Sequence, residues 1–147
     1  MRIVQMFKLV MREWKSTSKR IKLLSLKWRP QQEDRTMVKL KMYVAIRRDI
    51  LPLSHCAVQS SHACTEYMRF HGSTPATMDW VDNHKTMILL SATESQIQQI
   101  KDLYDKLGLK YHTFIEPDMS NAETATTFEP IDSEDGKRIF GHLPLLR

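Results

Sequence analysis

The segment Lys41–Arg48 (KMYVAIRR) constrains the fold more than any other, because alternation puts apolar residues on both of its faces. Met42, Val44 and Ile46 fall on one face and Tyr43 and Ala45 on the other. Such a strand has to be covered on both sides, as the central strand of an α/β protein is. Lys85–Leu90 (KTMILL) reads as a second buried strand, Tyr111–Ile115 as a third and Thr124–Phe128 (TATTF) as a fourth. Between the first two, Ser54 is expected to cap a helix running to about Phe70, with Ala57, Ser61, Cys64 and Met68 as its inward stripe. Thr74-Pro75 predicts a short helix through Trp80 to Asn83. Thr93-Glu94-Ser95-Gln96 has capping-box spacing and starts a helix with Ile97, Ile100, Leu103, Tyr104 and Leu107 inward, which Gly108 ends in the left-handed position. A last short helix near Ser133–Leu143 carries Ile139 and Phe140. The order β-α-α-β-α-β-β-α describes an α/β three-layer sandwich, a four-stranded mixed sheet with helices on both faces.

At 147 residues and 41% hydrophobic, the chain has the material for one domain of this kind with a core of its own. The formal charge of +5 suggests a nucleic-acid binder, but its distribution says otherwise. Residues 1–36 hold ten basic and three acidic residues, a charge of +7, and residues 37–147 hold 12 basic and 14 acidic, a charge of −2. We therefore divide the chain into a basic leader, 1–36, and a domain, 37–147. The leader is read equally as a mitochondrial presequence, an RNA-contacting arm or an upstream mis-assignment of the start codon, because Met37 opens a complete domain by itself. The expected location is the cytoplasm, or the mitochondrion if the leader is a presequence. No stretch approaches the ~18 uninterrupted apolar residues of a membrane span, so a soluble protein without a membrane span is expected. Cys56 and Cys64 lie eight residues apart in one expected helix, about 12 Å at its rise per residue, too far for a disulfide.

The usual signatures of nucleophile elbows, P-loops, dinucleotide folds and zinc proteases are missing, and His55, His62, His71, His84, His112 and His142 form no metal-ligand spacing. No metal and no cofactor are expected. His55 and His62 are two turns apart on one helix face, either as surface histidines or as part of a site. The loop Ile115-Glu116-Pro117-Asp118-Met119-Ser120-Asn121 collects acids and turn formers at a strand end, which is either an ordinary hairpin turn or a place for a general base. With Arg47-Arg48-Asp49 these segments could surround one pocket.

Arg47-Arg48-Asp49-Ile50 followed by Ala57-Val58-Gln59-Ser60-Ser61-His62-Ala63 resembles the signature of the type II peptidyl-tRNA hydrolases of archaea and eukaryotes. There an Arg-x-Asp-Leu strand end precedes a Gly-Lys-x-Ala-Ala-Gln-x-x-His-Ala helix start. Lys106-Leu107-Gly108-Leu109, a strand, an Asp-containing loop, Thr124-Ala125, Pro130 and Gly141-His142-Leu143 follow in the family's order, so the resemblance covers residues 39–147. It implies the sandwich fold and hydrolysis, by water, of the ester joining a peptide to the 3′ end of tRNA. Peptidyl-tRNA is then the partner, and a homodimer is a further expectation. By position, Gln59 and His62 match the helix residues, Arg47 and Asp49 the strand end, and Asp118 the acidic residue after the third strand.

Two departures bear on activity. The family's Lys, four residues before the Gln, falls on His55, with Ser54 where Gly is usual and the segment from Asp49 to Gln59 one residue shorter. A permanent cation is thus replaced by a side chain of a type that titrates near about pH 6.5. The loop after Asp118 is also shortened, leaving Asn121 and Thr124 as candidates to substitute for a family hydroxyl. The resemblance implies His55, Gln59 and Asp118 as the catalytic set. Asp118 would orient or deprotonate water, His55 would stabilise the oxyanion and Gln59 would hold them in register. Arg47, Arg48, Asp49, His62, Asn121 and Thr124 are the expected substrate-binding residues. The alternative is a catalytically impaired member that binds tRNA or a protein.

Overall fold

In the computed structural model, which describes residues 38–147, Val44 and Ala45 are both fully buried although they face opposite sides of one strand. That strand, β1 (Leu40–Arg47), lies between β2 (Thr86–Ala92), which is parallel to it, and β4 (Ala122–Asp132), which is antiparallel. An edge strand, β3 (Tyr111–Glu116), pairs antiparallel with β4 and completes the order β2-β1-β4-β3. Helices α1 (Leu53–His71) and α2 (Pro75–Asp79) cover the face of Met42, Val44 and Ile46. Helices α3 (Glu94–Leu107) and α4 (Ser133–Phe140) cover the face of Tyr43 and Ala45. The expected three-layer α/β sandwich and its element order are both present. The readings made for residues 1–36 lie outside the described residues. Among the described residues, no helix is long and apolar enough to cross a membrane.

The local signals act as their chemistry requires. The Thr93 hydroxyl accepts from Gln96 N at 3.4 Å and Gln96 Oε1 accepts from Thr93 N at 2.9 Å, a complete capping box, and Gly108 closes α3 at φ 70°. Thr74 caps α2, which continues into one π-helical turn over Trp80–His84, wider than the short α-helix expected there. Two expectations for α1 are corrected. Its N-cap is Pro52 rather than Ser54, and Ser54 sits inside the first turn. Its buried stripe is Cys56, Gln59, Ser60, Ala63 and Tyr67, one residue earlier than Ala57, Ser61, Cys64 and Met68. The true stripe carries a glutamine whose amide is bonded internally, so a search for small apolar spacing picks the neighbouring rows.

Strand β4 is longer than TATTF because it absorbs two bulges. Its register against β1 slips between Phe128 and Ile131, where Pro130 is accommodated, and against β3 it slips at Thr124. The chain end covers the outer edge of β2, with Ser91 N donating to Pro144 O at 2.8 Å and Leu146 N to Leu89 O at 3.0 Å. Because β1, β2 and β3 all run the same way, Arg47, Ala92 and Glu116 finish at one end of the sheet, where α1 and α3 begin. Open α/β sheets bind ligands outside such strand ends.

Candidate active site

The slip at Thr124 decides how the site is built. Phe114 pairs with Ala125 and Ile115 with Glu123, which leaves Thr124 without a partner on β3. Thr124 and Ala125 consequently both meet α1: Ala125 packs with Cys56 and Ala63, and the Thr124 hydroxyl donates to Gln59 Oε1 at 2.6 Å. With its oxygen occupied by a donor, the Gln59 amide must present its nitrogen in the opposite direction. There Gln59 Nε2 donates to Glu116 Oε2 at 2.5 Å. The other carboxylate oxygen, Glu116 Oε1, accepts from Asp118 N at 3.4 Å. Thr124 is fully buried and Gln59 is 6% exposed, while Glu116 is half-buried at the strand end. The result is a carboxylate held from two sides, with acceptor lone pairs left for a water proton.

At the same end of the sheet, with β4 between it and β3, Arg47 is only 8% exposed although it ends β1. Its Nε and Nη2 donate to the two oxygens of Asp49 at 2.8 and 2.9 Å, and Nη1 lies 3.3 Å from Glu94 Oε2 at the start of α3. Such a fork fixes both partners in direction as well as distance. The guanidinium hydrogen bond and charge hold the Asp49 carboxyl below the usual carboxylate range, and Asp49 and Glu94 in turn raise Arg47. Arg48 Nη1 donates to Leu51 O, pinning the loop that leads into α1. The Arg47–Asp49 stabilisation is complete above the unfolded-state Asp pKa of about 3.9 and disappears as pH falls through the lower folded value. Wild type is therefore expected to be more stable than Asp49→Asn at pH 7, with the difference vanishing toward pH 2. Urea unfolding across that range checks it, and a pH-independent difference would contradict the pairing.

The side chains of the remaining expected residues sit around this centre without a hydrogen bond to Gln59 or Glu116. His62 is exposed on α1 and stacks on Phe114 of β3, ring centroids 4.7 Å apart and planes 22° apart. His55 is exposed on the first turn of α1. Asp118 is exposed in the 3-10 turn Pro117–Met119, followed by Ser120 and Asn121 in the left-handed region at φ 56° and 59°. Asn is among the residue types that tolerate that conformation best. The loop from Ile115 is thus the hairpin connection of β3 and β4, and it also supplies a carboxylate. The carboxylate joined to Gln59 is Glu116. Period two along β3 selects it, since Glu116 shares the α1-facing side of Phe114, whereas Asp118 lies beyond the strand. Lys101 and Glu123, paired behind Thr124, were not singled out by any motif.

Comparison with known proteins bears on the fold and the family. The family described as Peptidyl-tRNA hydrolase PTH2 matches residues 40–146. No curated protein matches the sequence. Among solved structures, a protein of unknown function from Agrobacterium tumefaciens is similar with a TM-score of 0.52 and 12% identity, covering 74% of this chain and 98% of its own. At that identity the likeness speaks for the fold alone. The family match spans nearly the whole described domain, from the first strand to the penultimate residue, and includes the strand end, the Gln59 helix and the β3–β4 hairpin. On that match, the chain belongs to the peptidyl-tRNA hydrolase PTH2 family.

Proposed function

We propose that this chain hydrolyses the ester between a peptide, or an N-blocked amino acid, and the 3′ end of tRNA, by direct attack of water. The observation that carries the reading is the Thr124–Gln59–Glu116 relay at the carboxyl end of the sheet. It supplies what ester hydrolysis by water needs from a base, namely a carboxylate fixed in direction and open on one side. Glu116 takes the proton of the attacking water, and Gln59 keeps the carboxylate in place through its single allowed amide orientation. His55, at the family's lysine position on the first turn of α1, stabilises the developing oxyanion by donating a ring N–H. His62, stacked on Phe114, offers a flat face to the RNA end. Asp118 and Asn121 flank the entrance on the hairpin, and Arg47 with Asp49 supports the strand end from which the site is built.

The test is release of free tRNA from N-acetyl-aminoacyl-tRNA by the full chain, compared with His55→Ala/Glu116→Gln and with His55→Lys. Turnover by wild type that exceeds the double variant, with gain in the lysine variant, is the expected result. Saturable and salt-sensitive tRNA binding without ester cleavage would overturn it in favour of a binding role for the same face.

A further inference from the structure

Lys101 is 5% exposed, in a helix face otherwise made of Ile97, Ile100, Leu103, Tyr104 and Leu107. Lysine is almost never buried to this degree unless paired. Its Nζ donates to Glu123 Oε2 at 2.6 Å and stands 6.0 Å from the centroid of the Tyr111 ring. Such pairs contribute little that well-packed apolar side chains would not, because desolvation consumes the attraction. What the pair does provide is direction, since a charge-assisted hydrogen bond fixes where the carboxylate lies.

Glu123 immediately precedes Thr124. In an unbroken strand residues 123 and 125 would share a face. Here Glu123 reaches α3 while Thr124 and Ala125 both meet α1, so the alternation holds between 123 and 124 and breaks between 124 and 125, where Thr124 is the extra residue of the bulge. We propose that the Lys101–Glu123 ion pair is a positioning device for the candidate active site. It anchors the residue before the bulge on the α3 face, so that the Thr124 hydroxyl is aimed at Gln59 and the Gln59 amide at Glu116. Lys101 touches no reacting atom and acts entirely through Glu123 and the bulge. As a role in catalysis this rests on the hydrolase reading above; as a statement about geometry it stands apart from it.

Two variants of the full chain test it. Lys101→Met removes the charge at similar volume, and Glu123→Asp keeps the charge but shortens its reach, which covers the case in which the first does not fold. The readouts are kcat and KM on N-acetyl-aminoacyl-tRNA and the side-chain amide NMR resonances of Gln59, assigned with Gln59→Asn. The expected result is a kcat about tenfold lower with KM within about twofold, as for a misplaced catalytic group, and displaced Gln59 amide resonances. Gln59 resonances that stay at their wild-type positions in a folded variant overturn the proposal, whatever happens to thermal stability. Resonances that move without a fall in kcat overturn it as well. If wild type shows no turnover, the hydrolase reading fails, and the amide resonances alone decide whether the pair aims Gln59.

Discussion

Glu116→Gln is expected to lower turnover of N-acetyl-aminoacyl-tRNA by about 100-fold or more, the usual worth of a positioned general base, while leaving KM nearly unchanged. The substitution conserves shape and still allows an oxygen to accept from Gln59 Nε2, so the relay from Thr124 is kept, while the basicity and the long 3.4 Å acceptance from Asp118 N are removed. Asp118→Asn is the matched control. Asp118 is exposed on the hairpin turn, and the contact that ties it to Glu116 is made by its backbone nitrogen, which the substitution leaves in place. A smaller effect, within about tenfold, is expected there. The reverse ranking, with Asp118→Asn the more damaging, would move the base to the turn and make Glu116 a structural partner of Gln59. Steady-state kinetics on the two variants at one pH distinguishes these outcomes.

The second large effect concerns stability. Gly136 is buried in α4, and a methyl group there would meet Tyr43 at 2.1 Å from the hydroxyl oxygen and 2.5 Å from the ring carbon bearing it. The ring cannot easily yield, because it stacks on Phe140 at a centroid distance of 4.2 Å with planes 8° apart. Gly136→Ala is expected to destabilise the domain by about 2–3 kcal/mol, since overpacking outweighs the roughly 1 kcal/mol that alanine contributes to a helix. For a domain of this size that lowers Tm by about 10 °C or more. Adding Tyr43→Leu should recover part of the loss, because the shorter side chain leaves room for the methyl group. Thermal unfolding followed by circular dichroism checks both variants, and an unchanged Tm for Gly136→Ala would show that α4 can ride outward at no cost.

Gly136 and Glu116 illustrate different ways in which a sequence can be silent. Nothing about Gly136 in its own helix asks for glycine, since its φ is not in the left-handed region; the requirement comes from a ring on β1 far away in the chain. Glu116 was visible as one of two acids in a turn, but the choice between it and Asp118 depended on which side of β3 faces α1. Gln59 was legible through its place in a family signature, and its burial was not. A periodicity count treats glutamine as an outward residue, and this placed the whole inward stripe of α1 one position late. Ser54 failed as a cap for a related reason, because Pro52 fixes its own backbone at φ −66° and starts the helix before the serine is reached.

The element order, the double-sided cover of β1, the capping box of α3 and its Gly108 stop were determined by the sequence alone. These depend on alternation, on hydrogen-bond donors within four residues and on backbone conformations that few residue types adopt, all of them local. The tertiary structure decided which carboxylate meets Gln59, that Arg47 is engaged with Asp49 and Glu94, and that a lysine could lie in an apolar stripe. Apart from the Arg47–Asp49 fork, which joins residues two apart, each of those depends on a slip of one residue in β4 or on a partner from another element. A bulge leaves no periodic trace, and only the folded sheet shows which face each side chain takes.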